Sequence, residues 1–347
     1  AYLRRILDYY SNYGMDFSIT VADSSSDENK RLNKDIISSV SNLNIRYLDS
    51  YPTEINPYHK FADALNYVNT KYCVFCADDD FVTLRGIRES VDFLEENPDF
   101  TAAQGLYTSF HFEEDKQGNQ QLCWALSPDS HESITFSDPA IRLSHYLSEY
   151  SQATFYAVHS TAFQKMIYAE LLKNEVDYLL CELFLSMLTV IYGKLKCLDV
   201  LYAARDAEPV SGYRPSLREY IEKGIFDGYY ARFRDCLSIH LSKQSQLSIE
   251  ESAKLVDEAM SAYLKKYVHH RKSIMAPLTT KTGLLMDRLN LPGWLDGGIR
   301  KSYRMLTGSK SIEDDSIDTS TSSPYYEDFN RIRSLVLTSS KTRAEQS

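Results

Sequence analysis

The sequence predicts an α/β protein with a mostly parallel sheet, followed by a helical C-terminal region. Short strand-like apolar runs alternate with amphipathic helical runs up to about residue 210, and beyond Ser211 only helical patterns remain. Asp23 and the run Asp78-Asp79-Asp80 also stand at the ends of two strand-like runs, where sheets of this class bind ligands.

The elements follow in order. Leu3, Ile6, Leu7 and Tyr10 fall at helical spacing, and Gly14 closes that helix. Phe17, Ile19 and Val21 alternate as a strand that ends at Asp23. A polar helix and a short strand near 45–48 come next. Asn56-Pro57 opens a helix whose apolar face is Phe61, Leu65 and Val68. An apolar run over 73–77 predicts a strand leading into the three aspartates. Thr83 caps the next helix, which stops at Asn97-Pro98, and a strand follows over 101–107. A polar hairpin with Gln117-Gly118-Asn119 at its turn precedes a helix opened by Asp138-Pro139. A strand near 155–158 leads to Ser160 as a cap. An apolar helix from Tyr178 and a strand over 196–203 complete the α/β part. Helices are expected near 217–222, 226–241 and 249–267, with a last one near 325–337. Residues 309–323 are rich in Ser, Thr and Asp and are expected to be mobile.

The bulk numbers narrow the function. The chain has 347 residues, 43% of them hydrophobic, enough for a sizeable core. A net charge of -10 argues against a general nucleic-acid binder, which needs a basic face. No apolar run reaches the ~20 residues that span a bilayer. Attachment to a membrane surface stays open. The six cysteines include a Cys73-x-x-Cys76 pair, but no second pair or histidine pair completes a zinc site, so buried thiols in a reducing compartment are expected.

Three adjacent acids repel one another and call for compensation, and a divalent cation is the natural one. Glu182 is the one charged residue from Tyr178 to Tyr192, and an unpaired carboxylate in such surroundings needs a partner or a task. Asp177, just before that run, is either a helix cap or a competing base. His59 and His159 are candidates for the neighbourhood of the site, against hydrogen-bonded structural histidines, which are the better reading of each. Arg205, Arg214 and Arg218 are candidates for a diphosphate, against ordinary salt bridges. Trp124 and Trp294 are candidates for an acceptor groove, against the core. His269-His270-Arg271-Lys272 reads as a solvated basic run.

Lys60-Phe61-Ala62-Asp63-Ala64-Leu65-Asn66, then an apolar run, then Asp78-Asp79-Asp80, resembles the K-x-x-A-L-N plus D-x-D pattern of inverting GT-A glycosyltransferases of the family-2 kind. Val21-Ala22-Asp23-Ser24-Ser25 resembles their second strand. Gln104-Gly105-Leu106-Tyr107 and Asp177-Tyr178 with Glu182-Leu183-Phe184 look like a bacterial surface-polysaccharide subgroup. The resemblance covers roughly residues 1–210. It implies a Rossmann-like GT-A domain over 1–210, a helical extension over 211–305 and a segment with a terminal helix over 306–347.

It also implies roles. Asp23 would meet the base of a nucleotide-sugar, with Ser24 and Lys60 also in the donor site that Arg205 could join. Asp78 would reach the ribose and assist the metal. Asp80 would hold Mn²⁺ or Mg²⁺ across the diphosphate, with Asp79 assisting. Glu182, then Asp177, would be the base. The acceptor would be a glycan or lipid-linked hydroxyl, met in the cytoplasm at the inner face of the membrane. Two departures matter. The family's first strand is absent, which predicts a fragment of a longer protein with an unpaired edge beside the strand of Asp23. The acidic pair that usually carries the base is a single Glu182. The rival readings are a nucleotidyltransferase, for which a Gly-rich basic loop is missing, and a non-catalytic binding module.

Overall fold

The first helix, α1 (Tyr2–Asn12), buries the stripe Leu3, Ile6, Leu7 and Tyr10. The chain turns away where Gly14 takes φ +75°, a conformation that side-chain-bearing residues rarely adopt. The structure is a computed structural model that describes residues 2–14, 16–114, 120–126, 132–150, 153–207, 216–266 and 320–344.

β1 (Ser18–Ala22) and β2 (Asn44–Leu48) run parallel, joined by α2 (Asp27–Ser38), whose N-terminus is capped by Ser26. They form a two-stranded sheet, and among the described residues no other strand pairs with β1. In α3 (Pro57–Leu65) the Asn56 side chain accepts from the Tyr58 amide, and Pro57 needs no partner for a missing N–H.

The strand expected over 73–77 shortens to β3 (Tyr72–Cys73). Its neighbour β7 (Val158–Ser160) offers a ladder only at Cys73↔His159 and Tyr72↔Ser160. An unforeseen two-residue strand, β4 (Phe81–Val82), follows the aspartates and pairs with β8 (Lys194–Asp206). Thr83 accepts from the Gly86 amide to start α4 (Leu84–Glu96), and donates to the Leu201 carbonyl of β8 at 2.6 Å. β5 (Phe100–Glu114) runs past its expected end because β6 (Gln120–Leu126) zips onto it as a hairpin. The expected turn at 117–119 lies outside the described residues.

The main sheet has the order β3-β7-β5-β8-β4, with β6 beside β5. Only β5–β8 is parallel; β3–β7, β7–β5, β8–β4 and β5–β6 are antiparallel. The molecule is therefore a mixed α/β domain with C-terminal helices, not the mostly parallel sheet expected. Hydrophobic periodicity marks a strand but is blind to its direction, which the connections decide. The β5–β8 ladder shifts register at Gly105, where a Cβ would lie 2.5 Å from the Val200 carbonyl oxygen.

One face of the sheet carries α5 (Pro139–Ser148), α6 (Thr161–Lys173) and α7 (Tyr178–Tyr192). Leu180, Phe184, Met187, Leu188, Val190 and Ile191 of α7 are almost wholly buried. Each such side chain contributes roughly 1.5–3 kcal/mol. The last turn of α7 has no basic residue of its own. Arg142 of α5 supplies one. It donates to the carbonyls of Val190 (2.7 Å), Ile191, Phe136 and Ser137 (2.9 Å each).

α8 (Leu217–Glu222), α9 (Phe226–Gln244) and α10 (Ile249–Leu264) follow, and α9 and α10 add Phe233, Leu237, Leu241 and Val256 to the same core. α11 (Tyr326–Ala344) packs Ile332 and Val336 against α1, and Phe329 stacks edge-on against Trp124 at 4.6 Å. Trp124 is thus partly buried and packs against the core, as its alternative reading had it. Among the described residues, which include all six cysteines, no disulfide is formed. No helix among the described residues is long and apolar enough to cross a membrane. Arg214, Trp294, the basic run at 269–272 and most of 309–323 lie outside the described residues.

Candidate functional site

Asp23 ends β1 and continues its ladder by donating from its amide to the Leu48 carbonyl, 2.9 Å. Its carboxylate is buried and well answered. Oδ1 accepts from the Ser25 amide (2.8 Å), and Oδ2 accepts from Asn33 Nδ2 (2.8 Å) and the Tyr47 hydroxyl (2.7 Å). Burial alone would raise its pKa; these hydrogen bonds together outweigh it and hold the carboxyl below its usual value. Lys60 on α3 donates to Ser24 Oγ at 2.9 Å. Burial lowers the pKa of that ammonium, against the nearby charges of Asp23 and Asp78. Lys60 therefore bonds to the loop after β1 and feels the charge of Asp78.

The three aspartates occupy a turn between β3 and β4, and their environments differ sharply. Asp78 is exposed, Asp79 half-buried and Asp80 buried. Asp80 Oδ1 accepts from the Asp206 amide at 2.8 Å, and Oδ2 accepts from the Tyr156 hydroxyl. Arg205 Nε stands 3.6 Å from Oδ2. Burial nevertheless raises the Asp80 pKa. Asp79 is pushed up to about 6, first by burial, then by the charges of Asp80, Asp78 and Asp206. Negative charge here is only partly compensated.

Three residues that sequence reasoning missed hold this rim. Arg5 of α1 donates to the Asp79 carbonyl and pairs with Asp206 Oδ2 at 3.2 Å, both side chains under a tenth exposed. Tyr156 and Asp206 fix the orientation of Asp80. The signal for Arg5 was faint: it is one of two adjacent cations, Arg4 and Arg5, and the one of them that α1 buries. Asp206 gave none, since the β4–β8 pairing that brings it close was not foreseen.

Glu182 differs from expectation. It is not buried among the apolar residues of α7. Its surface is open to solvent, yet protein surrounds it in a recess also lined by Phe75, Phe155 and Tyr168. That enclosure raises its pKa; Arg205 and the Tyr150 hydroxyl, 3.5 Å from Oε1, oppose the rise. Arg205 feels the charges of Asp80 and Glu182 alike. Asp177 caps α7 by accepting from the Leu179 amide at 3.0 Å, and Tyr220 lies 3.5 Å from its other oxygen.

The remaining candidates fall elsewhere. His159 is wholly buried, its pKa lowered to about 4 by burial, and contacts the Ala157 carbonyl and Gln164. His59 is exposed on α3. Arg218 pairs with Glu222 one turn along α8.

Asp78, Asp79 and Asp80 do not close three carboxylates into a metal cage. Among the described residues, the group of three donors within 4.8 Å of one another is Glu170, Cys236 and His240, on α6 and α9. A cation at the aspartates would take one or two carboxylates and draw its other ligands from phosphate and water, as Mg²⁺ commonly does. The under-compensated charge at Asp79 fits that arrangement.

No protein-family model matches the chain, and no curated protein matches it in sequence. Several solved structures resemble it distantly. S. aureus TarS 1-349 in complex with UDP-GlcNAc superposes with a TM-score of 0.47 at 13% identity, over 81% of this chain and 73% of that one. TarS 1-349 alone gives 0.45 at 12%, over 82% and 73%. S. aureus TarS gives 0.44 at 12%, over 76% and 41%.

Proposed function

We propose that the chain is a GT-A-type glycosyltransferase that moves a sugar from a nucleotide-sugar to an acceptor hydroxyl with inversion. One observation supports this most directly: Arg205 bridges, in charge, the anchored Asp80 and the solvent-open Glu182. A phosphate-bearing donor at the strand ends would then lie beside a carboxylate that can accept a proton.

In this reading Asp23 and Ser24 border the base and Asp78 the ribose. Lys60 and Arg205 offer cationic hydrogen bonds to the diphosphate. Asp80 and Asp78 would hold Mn²⁺ or Mg²⁺, with Asp79 beside them. When bound, that cation would neutralise the departing diphosphate. Glu182 takes the proton of the acceptor hydroxyl as it attacks the anomeric carbon, and its raised pKa brings it nearer to neutral working pH. Asp177 is the weaker candidate, because its carboxylate is spent on the helix cap. We place the donor and catalytic residues in 1–210, a helical extension in 211–305 and the terminal helix in 306–347. A glycan or lipid-linked acceptor at the inner face of a bacterial membrane, in surface-polysaccharide synthesis, completes the reading.

The test is a panel of nucleotide-sugars with Mn²⁺, read by thermal shift and by product. Slow hydrolysis or transfer should release nucleoside diphosphate, and Asp80→Ala should abolish the Mn²⁺-dependent thermal shift. Release of sugar-1-phosphate, by attack on the α-phosphorus, would instead identify a nucleotidyltransferase, and neither shift nor product would leave a binding module.

A further inference from the structure

Far along the chain from the aspartate rim, α6 and α9 bring three unlike donors together. Glu170 comes from α6, and Cys236 and His240 from one face of α9, four residues apart. Their donor atoms lie within 4.8 Å of one another. Ligands around a tetrahedral zinc stand roughly 3.3–3.8 Å apart, from bond lengths of 2.0–2.3 Å. Small side-chain rotations would close that difference. Cys236 and His240 are each about 5% exposed, while the Glu170 carboxylate reaches solvent.

The outer side of the imidazole is held as well. The Tyr192 hydroxyl lies 2.7 Å from His240 Nδ1, and Nε2 faces Glu170 Oε2 at 3.4 Å. Histidine ligands of metals commonly have their second nitrogen fixed by such a partner.

We propose that Glu170, Cys236 and His240 form a zinc site that clamps α9 to α6, with water as fourth ligand. A thiolate, an imidazole and a carboxylate are a donor set suited to Zn²⁺. On binding, the Cys236 thiol releases its proton to solvent. The His240 proton moves to Nδ1, where the Tyr192 oxygen accepts it, and Nε2 turns its lone pair to the metal. One dianionic donor set then neutralises one dication. Lys173, 3.6 Å from Glu170 Oε1, is largely exposed and can swing away. The site is independent of the sugar-transfer reading.

The full chain, reduced and stripped of metal, should be titrated with Zn²⁺ against a chromophoric chelator, and separately with Co²⁺. One Zn²⁺ should bind, and Co²⁺ should show a thiolate-to-metal charge-transfer band. Cys236→Ser should remove the band and weaken Zn²⁺ at least ~100-fold, and Tyr192→Phe should weaken it about 10–100-fold. Asp80→Ala and Cys197→Ser should keep the band. A wild-type protein without the band, or a band that survives Cys236→Ser, overturns the proposal whatever the fold of the variants.

Discussion

The two ends of α7 treat charge in opposite ways. At the C-terminal end, Arg142 is buried and meets four carbonyl oxygens at 2.7–2.9 Å. Near the N-terminal end, Glu182 has one long contact from Tyr150, a nearby Arg205 and an opening to solvent. Saturated charge belongs to the fold: removing it leaves buried acceptors without donors. Charge left half-answered in a recess costs stability and is available to a substrate.

The largest expected effect lies at the open end. Glu182→Gln should cut sugar transfer by about 10²–10⁴-fold while donor binding and melting temperature stay near wild type. A variant that transfers at the wild-type rate would move the base elsewhere, with Asp177 next. At the closed end the pattern should reverse. Arg142→Ala should lower stability by about 2–4 kcal/mol in urea denaturation, with little change in donor affinity. A loss well under ~1 kcal/mol would mean that the four carbonyls find water easily, and the contrast would fail.

A smaller effect concerns the rim beside Glu182. Asp79 is raised to about 6 in the folded protein. Folding therefore favours its protonated form. The stability it lends is complete below about pH 4, near the unfolded value, and is lost as pH rises to about 6. Metal-free wild type should lose melting temperature relative to Asp79→Asn across that window, and the gap should then stay constant. A gap that opens instead on acidification would reverse the sign. Last, Tyr150→Phe should shift the acid limb of the pH–rate profile upward by a fraction of a unit, because the hydroxyl opposes the raised pKa of Glu182.

Much of the architecture was legible along the chain. The caps Asn56, Thr83, Asp138, Ser160 and Asp177 all sit where their residue type predicts, because capping needs only one local oxygen and a nearby amide. The rim was legible in part, since Asp23 and Asp78–Asp80 carry charge at strand ends. Arg5, Tyr156 and Asp206 were not, because their partners lie 74, 76 and 126 residues away.

The sequence by itself determined which segments are helical, where they start and which faces they bury. Those properties follow from local spacing and the hydrophobic effect. Only the tertiary structure decided strand direction, the shortening of β3 and whether Glu182 lies in the core or in a recess. Each depends on which distant segment supplies the hydrogen-bond partner, and the two strand directions differ so little in backbone pairing energy that the connections choose.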